Sequence, residues 1–369
     1  MGGSADRMDV VIIGGGFAGA ATAWWLKRQG VERVTVLEQE DVPGSHASGK
    51  NAGIARQGVS ETPTALLAAL GVSFLRHPPD EFCPTPLFEP TGGYLLSTVE
   101  EDPRLEAIRK SALSAGVHTY PASRMEVIEK VPTLKESPFR SALACPHDGV
   151  VDIHSLLSAY LAPAKVRTGM AVTGFQVDRK RITAVETNQG TLVADWVVNA
   201  AGAWAGDVGT LAGARPVSIA PIRRHLIHTG PLDWAIPGAP YIWCLHPAVY
   251  FRTESQGLLL SPCDETPWRP GSPPSDPEAP SWLAERLSGT FPHLANLPIA
   301  RTWAELRSFS EDGQFVIGKD PRLSNFLWVA ALGGHGMTTS AAVGELASAI
   351  LLGRIPPLDP APYDPGRFQ

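Results

Sequence analysis

Asp9-Val-Val-Ile-Ile-Gly-Gly-Gly-Phe-Ala-Gly-Ala-Ala-Thr-Ala-Trp-Trp-Leu26 places an apolar β-branched run before Gly14, Gly16 and Gly19, and an alanine-rich run after them. The pattern predicts a strand, a tight turn and a helix. The glycines of the G-x-G-x-x-G spacing differ in what they allow. Gly14 permits the sharp turn, Gly16 lets backbone approach a pyrophosphate, and Gly19 lets the helix pack closely on the strand. The first turn of such a helix points unpaired N–H groups at phosphate oxygens. A second apolar run, Arg33 to Leu37, ends in Glu38. A carboxylate there suits a ribose diol and repels a 2′-phosphate, so the unit is expected to hold FAD or NAD and not NADP.

The chain has 369 residues, 44% of them hydrophobic, which is more than one core usually organises and predicts two domains. Its net charge of −6, with no Lys/Arg cluster, lacks the electrostatic footprint that nucleic acid requires. Met1 to Met8 is too short and polar for a signal peptide, which leads to the expectation of a cytoplasmic protein. Ala341 to Leu352 is interrupted by Glu345 and Ser348 and is shorter than a membrane span, so it reads as a core helix, and no integral membrane segment is expected. Cys83, Cys145, Cys244 and Cys263 form no C-x-x-C pair or zinc spacing, which predicts reduced thiols and no metal site.

Where a nucleotide fold would enter its next helix, the chain instead has the small and polar residues Ser45 to Ile54, suited to lie along a flat ring. Proline-rich chain follows at His77 to Pro90. Strands are expected at Val172–Val177, Ile182–Thr187, Thr191–Val193 and Asp195–Asn199, and β-rich chain from Pro221 to Leu260. Pro262 to Pro280 reads as a surface loop. Phe326 to Ala331 reads as a buried strand, Gly333-Gly-His-Gly336 as a turn, and Met337 to Leu352 as a helix. The expected architecture is α/β, of α+β two-domain type. A Rossmann-like dinucleotide domain spans 1–83, 141–214 and 305–369, and a β-sheet-rich substrate domain spans 84–140 and 215–304.

Taken in order, GGGFAG at 14–19, Glu38, SHASGKNAG at 45–53, VVNAAGAW at 197–204, WAELRSFSEDGQFVIG at 303–318 and GGHGMTTSAAVGELA at 333–347 resemble the D-amino-acid oxidase superfamily. PPDEFCPTPL at 78–87 and PIRRHLI at 221–227 look most like its D-arginine dehydrogenase and glycine oxidase branch. The resemblance implies FAD under a β-rich substrate domain, and two-electron oxidation of an amine or hydroxyl beside a carboxylate. It assigns flavin contacts to Gly14, Gly16, Phe17, Ala18, Gly19, Glu38 and Gln39, then to Ser45, Ser48, Gly49, Lys50, Asn51, Ala52 and Gly53. Val172, Ala200, Ala201, Gly202 and Trp204 follow, with Gly333, Gly334, His335, Gly336, Met337 and Thr338 in the last turn. The turn at Gly333 lacks the cysteine that sarcosine oxidases use, and the neighbourhood of His46 matches non-covalent relatives. FAD is therefore expected to be non-covalent.

Flavin reduction by an amino acid needs a neutral amine and a well-aimed Cα–H, so positioning dominates and no nucleophile is required. The helix after Gly333 offers its N-terminal dipole to the charge that develops on reduced flavin. The family pattern makes Arg307 the carboxylate-binding arginine, since a planar fork of donors matches a carboxylate. It adds Tyr250 as a second donor, with Arg252 as a lesser candidate on the same strand face. Of Arg223 and Arg224, neighbours on one strand, only one can face the pocket, and motif matching selects Arg223. His335 is expected against flavin or substrate, either packing or moving a proton. Ile54 and Gly334 complete the expected substrate pocket.

The D-arginine dehydrogenase pattern has an acid where this chain has Gly92-Gly93, and a histidine where it has Ile54. A guanidinium stranded there would lose roughly 1–3 kcal/mol. A cationic substrate is therefore disfavoured, and an apolar or small one, such as an N-substituted glycine, is expected. The leading expectation is oxidation of a D-amino acid, glycine or N-substituted glycine to an imine that hydrolyses to a keto acid or glyoxylate plus amine. Oxygen or another electron acceptor completes the cycle. The rivals are a 2-hydroxy-acid dehydrogenase with His335 as base, and a flavin-binding protein without turnover.

Overall fold

The structure is a computed structural model that describes residues 8–368. The opening stretch forms β1 (Asp9–Ile13) and α1 (Phe17–Arg28), followed by β2 (Arg33–Leu37). β1 is parallel to β2 on one side and to Trp196–Asn199 on the other. Phe326–Ala330 extends the parallel set, with Val316–Lys319 antiparallel at one edge and Lys165–Arg167 at the other, giving six strands. Both faces of this sheet are covered, as parallel sheets require. Val10, Ile12, Val36 and Val198 pack against α1 and the helix Ser340–Leu352. Val11, Ile13, Val197 and Trp328 pack against Ala205–Ala212 and a three-stranded meander over 172–193.

Gly344 lies so close to α1 that an added Cβ would stand 2.6 Å from the Ala21 carbonyl. The first and last long helices of the described residues are thus locked together.

The second layer is a nine-stranded, mostly antiparallel sheet. One face carries Val249, Phe251, Ile227 and Leu260 into a core closed by Arg124–Lys130 and Ala279–Thr290. The other face carries Leu226, Tyr250 and Leu259 toward the dinucleotide domain. Alternation along a strand therefore decides which side chains reach the site.

Two expected domain boundaries shift. Ser141–Cys145 pairs with Gly93–Ser97, and Arg301–Phe309 pairs along its whole length with Ala220–His228. Both strands belong to the nine-stranded sheet, not to the dinucleotide domain to which divisions at 141 and 305 assigned all or most of them. Hydrogen bonding to distant strands sets these edges, and composition along the chain does not register it. The final helix starts at Ser340, after a turn spanning 333–339, rather than at Met337. The four short strand expectations hold to within a residue or two: Val172–Asp178, Arg181–Thr187, Gly190–Val193 and Trp196–Asn199 are strands. Residues 38–53 contain no regular helix or strand. Among the described residues, no helix is long and apolar enough to cross a membrane, and no cluster of His, Cys, Asp or Glu could hold a metal.

Candidate active site

A cavity of about 520 Å³ runs from the C-terminal end of β1 to the inner face of the nine-stranded sheet. At its nucleotide end Gly14 has φ 105°, and an added Cβ would lie 2.4 Å from the Ala200 carbonyl oxygen. A Cβ on Gly16 would meet the Ser48 hydroxyl at 2.8 Å. That hydroxyl accepts the Phe17 N–H at 3.0 Å and so ties the 45–53 loop to the start of α1. Glu38 is buried, with its carboxylate accepting the Gly15 and Glu40 N–H groups at 2.9 and 3.0 Å. Its position at the end of β2 is the one from which a carboxylate reaches a ribose.

The cavity is lined by Gly14, Gly16, Phe17, Ala18, Glu38 and Gln39, and by Ser45, Ser48, Lys50, Asn51 and Ala52. Val172, Ala200, Ala201, Gly202 and Trp204 form one wall, and Gly333, Gly334, Gly336 and Met337 form another. Seven expected residues do not line it, nor does the lesser candidate Arg252, which pairs with Glu254 and donates to the Ala52 carbonyl. Gly19 packs against the Gly14 carbonyl, where a Cβ would intrude to 2.0 Å, and so performs the close helix packing expected of it. Gly49 closes a turn on Gly44, and Gly53 sits between Val151 and Arg252. Thr338 is buried and donates to the Ile54 carbonyl at 3.3 Å. Ile54 packs beside Tyr250 and Trp243 behind the cavity surface.

Arg223 and His335 are the other two. In the pairing of Ala220–His228 with Arg301–Phe309, Arg224 stands opposite Glu305 and Leu226 opposite Trp303, while Arg307 stands opposite Ile222. Arg224, Leu226, Trp303, Glu305 and Arg307 all face the cavity. Arg223 lies on the reverse face, opposite Leu306. It pairs with Asp276 at 2.8 Å and covers Trp268 at 4.6 Å. Alternation does leave one of the two neighbours facing the pocket, but that one is Arg224 rather than Arg223. Arg224 is itself committed, donating to Glu265 and to the Asp264 carbonyl, both at 2.6 Å.

The Arg307 side chain makes no hydrogen bond or ion pair among the described residues, while its backbone is held in the strand pairing opposite Ile222. Burial, then the charges of Arg224 and Arg56, push its pKa below the usual guanidinium value. Beside it Tyr250 is buried and stacked 4.3 Å from Trp243, and burial raises its phenol pKa so that it stays a donor. His335 lies in the Gly333–Gly336 turn with its backbone N–H on the Leu332 carbonyl at 2.8 Å. Burial, Arg56 and Arg307 lower its pKa to about 3. It is neutral at physiological pH and too weak a base for the proton role considered from the sequence.

One wall residue, Glu305, went unrecognised in the sequence, and its partners are the expected Lys50 and His46. Lys50 pairs with Glu305 at 2.5 Å, and the other Glu305 oxygen is buried without a hydrogen-bond partner, 3.9 Å from His46. Glu305 sits two residues from Arg307, so strand periodicity alone could have found it. His46 rests against Trp204 with ring centroids 4.8 Å apart.

Residues 9–350 match the family model described as FAD dependent oxidoreductase, abbreviated DAO. The chain belongs to that family. The family's cofactor is FAD, and the cradle fits it: Gly14 and Gly16 leave no room for a side chain at the start of α1, and the cavity continues past Glu38 to the Gly333–Met337 turn. The chain is 27% identical over 378 residues to the 4-methylaminobutanoate oxidase (formaldehyde-forming) of Paenarthrobacter nicotinovorans, covering 97% of this chain and 45% of that protein. It is 26% identical to the human mitochondrial dimethylglycine dehydrogenase, covering 98% of this chain and 44% of that one. The chain thus spans less than half the length of these curated relatives. Among solved structures, L-proline dehydrogenase from P. horikoshii superposes with a TM-score of 0.88 at 26% identity, covering 98% of each chain.

Proposed function

We propose that this oxidoreductase oxidises the C–N bond next to the carboxylate of an amino acid, either a D-amino acid or a glycine bearing a substituent on nitrogen. The product is an imine, which water hydrolyses to a keto acid or glyoxylate plus an amine. The observation that carries this reading is Arg307, a half-buried guanidinium that faces the cavity with no side-chain partner among the described residues. A substrate carboxylate supplies what it lacks, in a two-pronged contact to which Tyr250 adds a neutral donor. Bound FAD supplies the two-electron acceptor. The cations Arg307, Arg224 and Arg56 disfavour an ammonium in the pocket, so the substrate amine is held in the neutral form from which its lone pair can help to expel hydride. The Gly333–Gly334 backbone brings the flavin end of the cavity against the Arg307 side chain, which fixes where the Cα–H is carried.

A 2-hydroxy acid would need a base for its hydroxyl proton, and His335, with a pKa of about 3 and no cavity surface, is poorly suited to that work. A flavin held only for structure would not need unpaired carboxylate donors over it. The cofactor is taken as non-covalent, because the 333–337 turn has no cysteine. Either oxygen or another acceptor reoxidises it. The test is anaerobic mixing of the yellow holoprotein with D-amino acids, N-alkylglycines and 2-hydroxy acids while flavin absorbance is followed, and then admission of air. Bleaching by amines is expected, and bleaching by 2-hydroxy acids alone defeats the reading. Return of colour in air identifies an oxidase.

A further inference from the structure

We propose that Arg56 is a second anion-binding position of the substrate pocket, so that the preferred substrate is an amino acid with two carboxylates, the second on its side chain or on its nitrogen substituent. This rests on the reading of Arg307 given above. Arg56 follows the short strand Ile54–Ala55, whose second side chain, Ala55, is fully buried in the dinucleotide domain. Residues two apart in extended chain share a face. Ile54 packs into the cluster of Leu226, Tyr250 and Trp243, and Arg56 follows it to the same wall. Its guanidinium carbon stands 4.1 Å from the Trp243 ring centre, and Trp243 in turn stacks on Tyr250. The cation is therefore held over an aromatic platform continuous with the donor that lines the cavity.

Arg56 is half-buried and, among the described residues, makes no hydrogen bond or ion pair. Its contrast with Arg224 is informative, because Arg224 has both Glu265 and a carbonyl. Asp148, a carboxyl that feels the charge of Arg56, has its hydrogen bonds directed elsewhere: it accepts from the Tyr241 hydroxyl at 2.6 Å and from the Gln57 backbone and side chain at 3.1 and 3.0 Å. Meanwhile the charge of Arg56 reaches both Arg307 and His335, which sets it within electrostatic range of the substrate end of the cavity. One substrate carboxylate on Arg307 still leaves the half-buried Arg56 guanidinium without a hydrogen-bond or ion-pair partner among the described residues, which is costly. A second carboxylate removes that deficit. The wall that sequence comparison reads as apolar through Gly92, Gly93 and Ile54 thus has a cation close behind it, two residues beyond Ile54 and one aromatic ring away from Tyr250.

The experiment uses the flavin-loaded protein and its Arg56→Met and Arg56→Lys variants. Sarcosine is compared with N-(carboxymethyl)glycine, and D-alanine with D-aspartate and D-glutamate, by the substrate dependence of anaerobic flavin reduction. In parallel, acetate and the non-reacting dicarboxylates malonate and glutarate are titrated by flavin absorbance change and by calorimetry. The wild type should favour the diacid in at least one reactive pair and at least one dicarboxylate, by on the order of ten- to hundredfold in dissociation constant. Arg56→Met should erase that preference while leaving monoacid constants within about threefold, and Arg56→Lys should retain part of it. Equal affinity of the wild type for mono- and diacids, or equal weakening of both by Arg56→Met, overturns the proposal. If Arg56→Met loses its flavin, the wild-type preference and the Lys variant decide. If no amine bleaches the flavin, the amine-oxidation reading fails, yet the non-reacting dicarboxylates still test Arg56. If Arg307→Met leaves every carboxylate's binding unchanged, the reading of Arg307 fails separately.

Discussion

A Cβ atom placed on Gly334 would lie 2.9 Å from both Cδ and Nε of Arg307. Backbone at the flavin end of the cavity and the guanidinium that faces it are thus in direct contact, and Gly334 also has φ 85°, where L side chains are rare. Gly334→Ala should displace Arg307 and cost roughly 1–2 kcal/mol in backbone strain. The expected result is substrate capture weakened on the order of tenfold with about one FAD still bound per chain. Unchanged substrate dependence of anaerobic reduction would show that Arg307 has room to adjust.

Gly16→Val should release the flavin. The branched side chain would meet Ser48, whose hydroxyl already accepts the Phe17 N–H, and it would occupy the space through which backbone N–H groups approach the pyrophosphate. The variant should purify colourless yet folded, as read by absorbance and far-ultraviolet circular dichroism. A yellow variant with normal flavin content places the pyrophosphate elsewhere.

Arg223 and Arg224 separate stability from binding. Arg223→Met removes the partner of Asp276 and uncovers Trp268 on the outer face, so melting temperature should fall while substrate dissociation constants stay put. Arg224→Met alters the cavity wall and should change those constants. The reverse outcome would mean that the strand is out of register with the pairing described.

What could be read from the chain without coordinates divides along a physical line. The β1–α1–β2 unit with Glu38 was readable because each glycine is demanded by local geometry within one short stretch. Arg307 carried a motif, and Tyr250 shares that property. The side of the strand on which Arg223 falls was not readable, because it depends on register against 301–309, more than 70 residues away. The same holds for Ser141–Cys145, whose place in the substrate sheet is decided by pairing with Gly93–Ser97. Arg56 escaped notice for a third reason. Nothing in its neighbours distinguishes it from a solvated arginine until Trp243, almost 190 residues on, is seen beneath it.

His335 should be dispensable for proton transfer. With its pKa lowered to about 3 it is neutral throughout the working range, and its backbone rather than its imidazole shapes the turn. His335→Asn should keep most of the flavin reduction rate. The pH profile of kcat/KM should contain no limb that disappears in the variant. Loss of a limb between pH 5 and 8, where an ordinary histidine titrates, would restore the proton role.

Asp148 makes the fold's stability depend on pH in a direction opposite to the common carboxylate case. Burial raises its pKa from 3.8 to about 6, against the opposing pull of Tyr241, Gln57 and Arg56. Below 3.8 both folded and unfolded chains hold the proton, and Asp148 contributes no pH dependence. Between 3.8 and about 6 the folded chain retains a proton that the unfolded chain has released, so stability falls as pH rises through this window and stays reduced above it. The shift corresponds to roughly 3 kcal/mol. Asp148→Asn keeps an oxygen for the two Gln57 donors and turns an amide toward Tyr241, whose hydroxyl can accept. Relative to the variant, the wild type should lose stability between about pH 4 and 6.5 in denaturant melts, with the two curves running parallel above that. Parallel curves across the whole range would mean that Asp148 titrates as an ordinary carboxylate and that water reaches it.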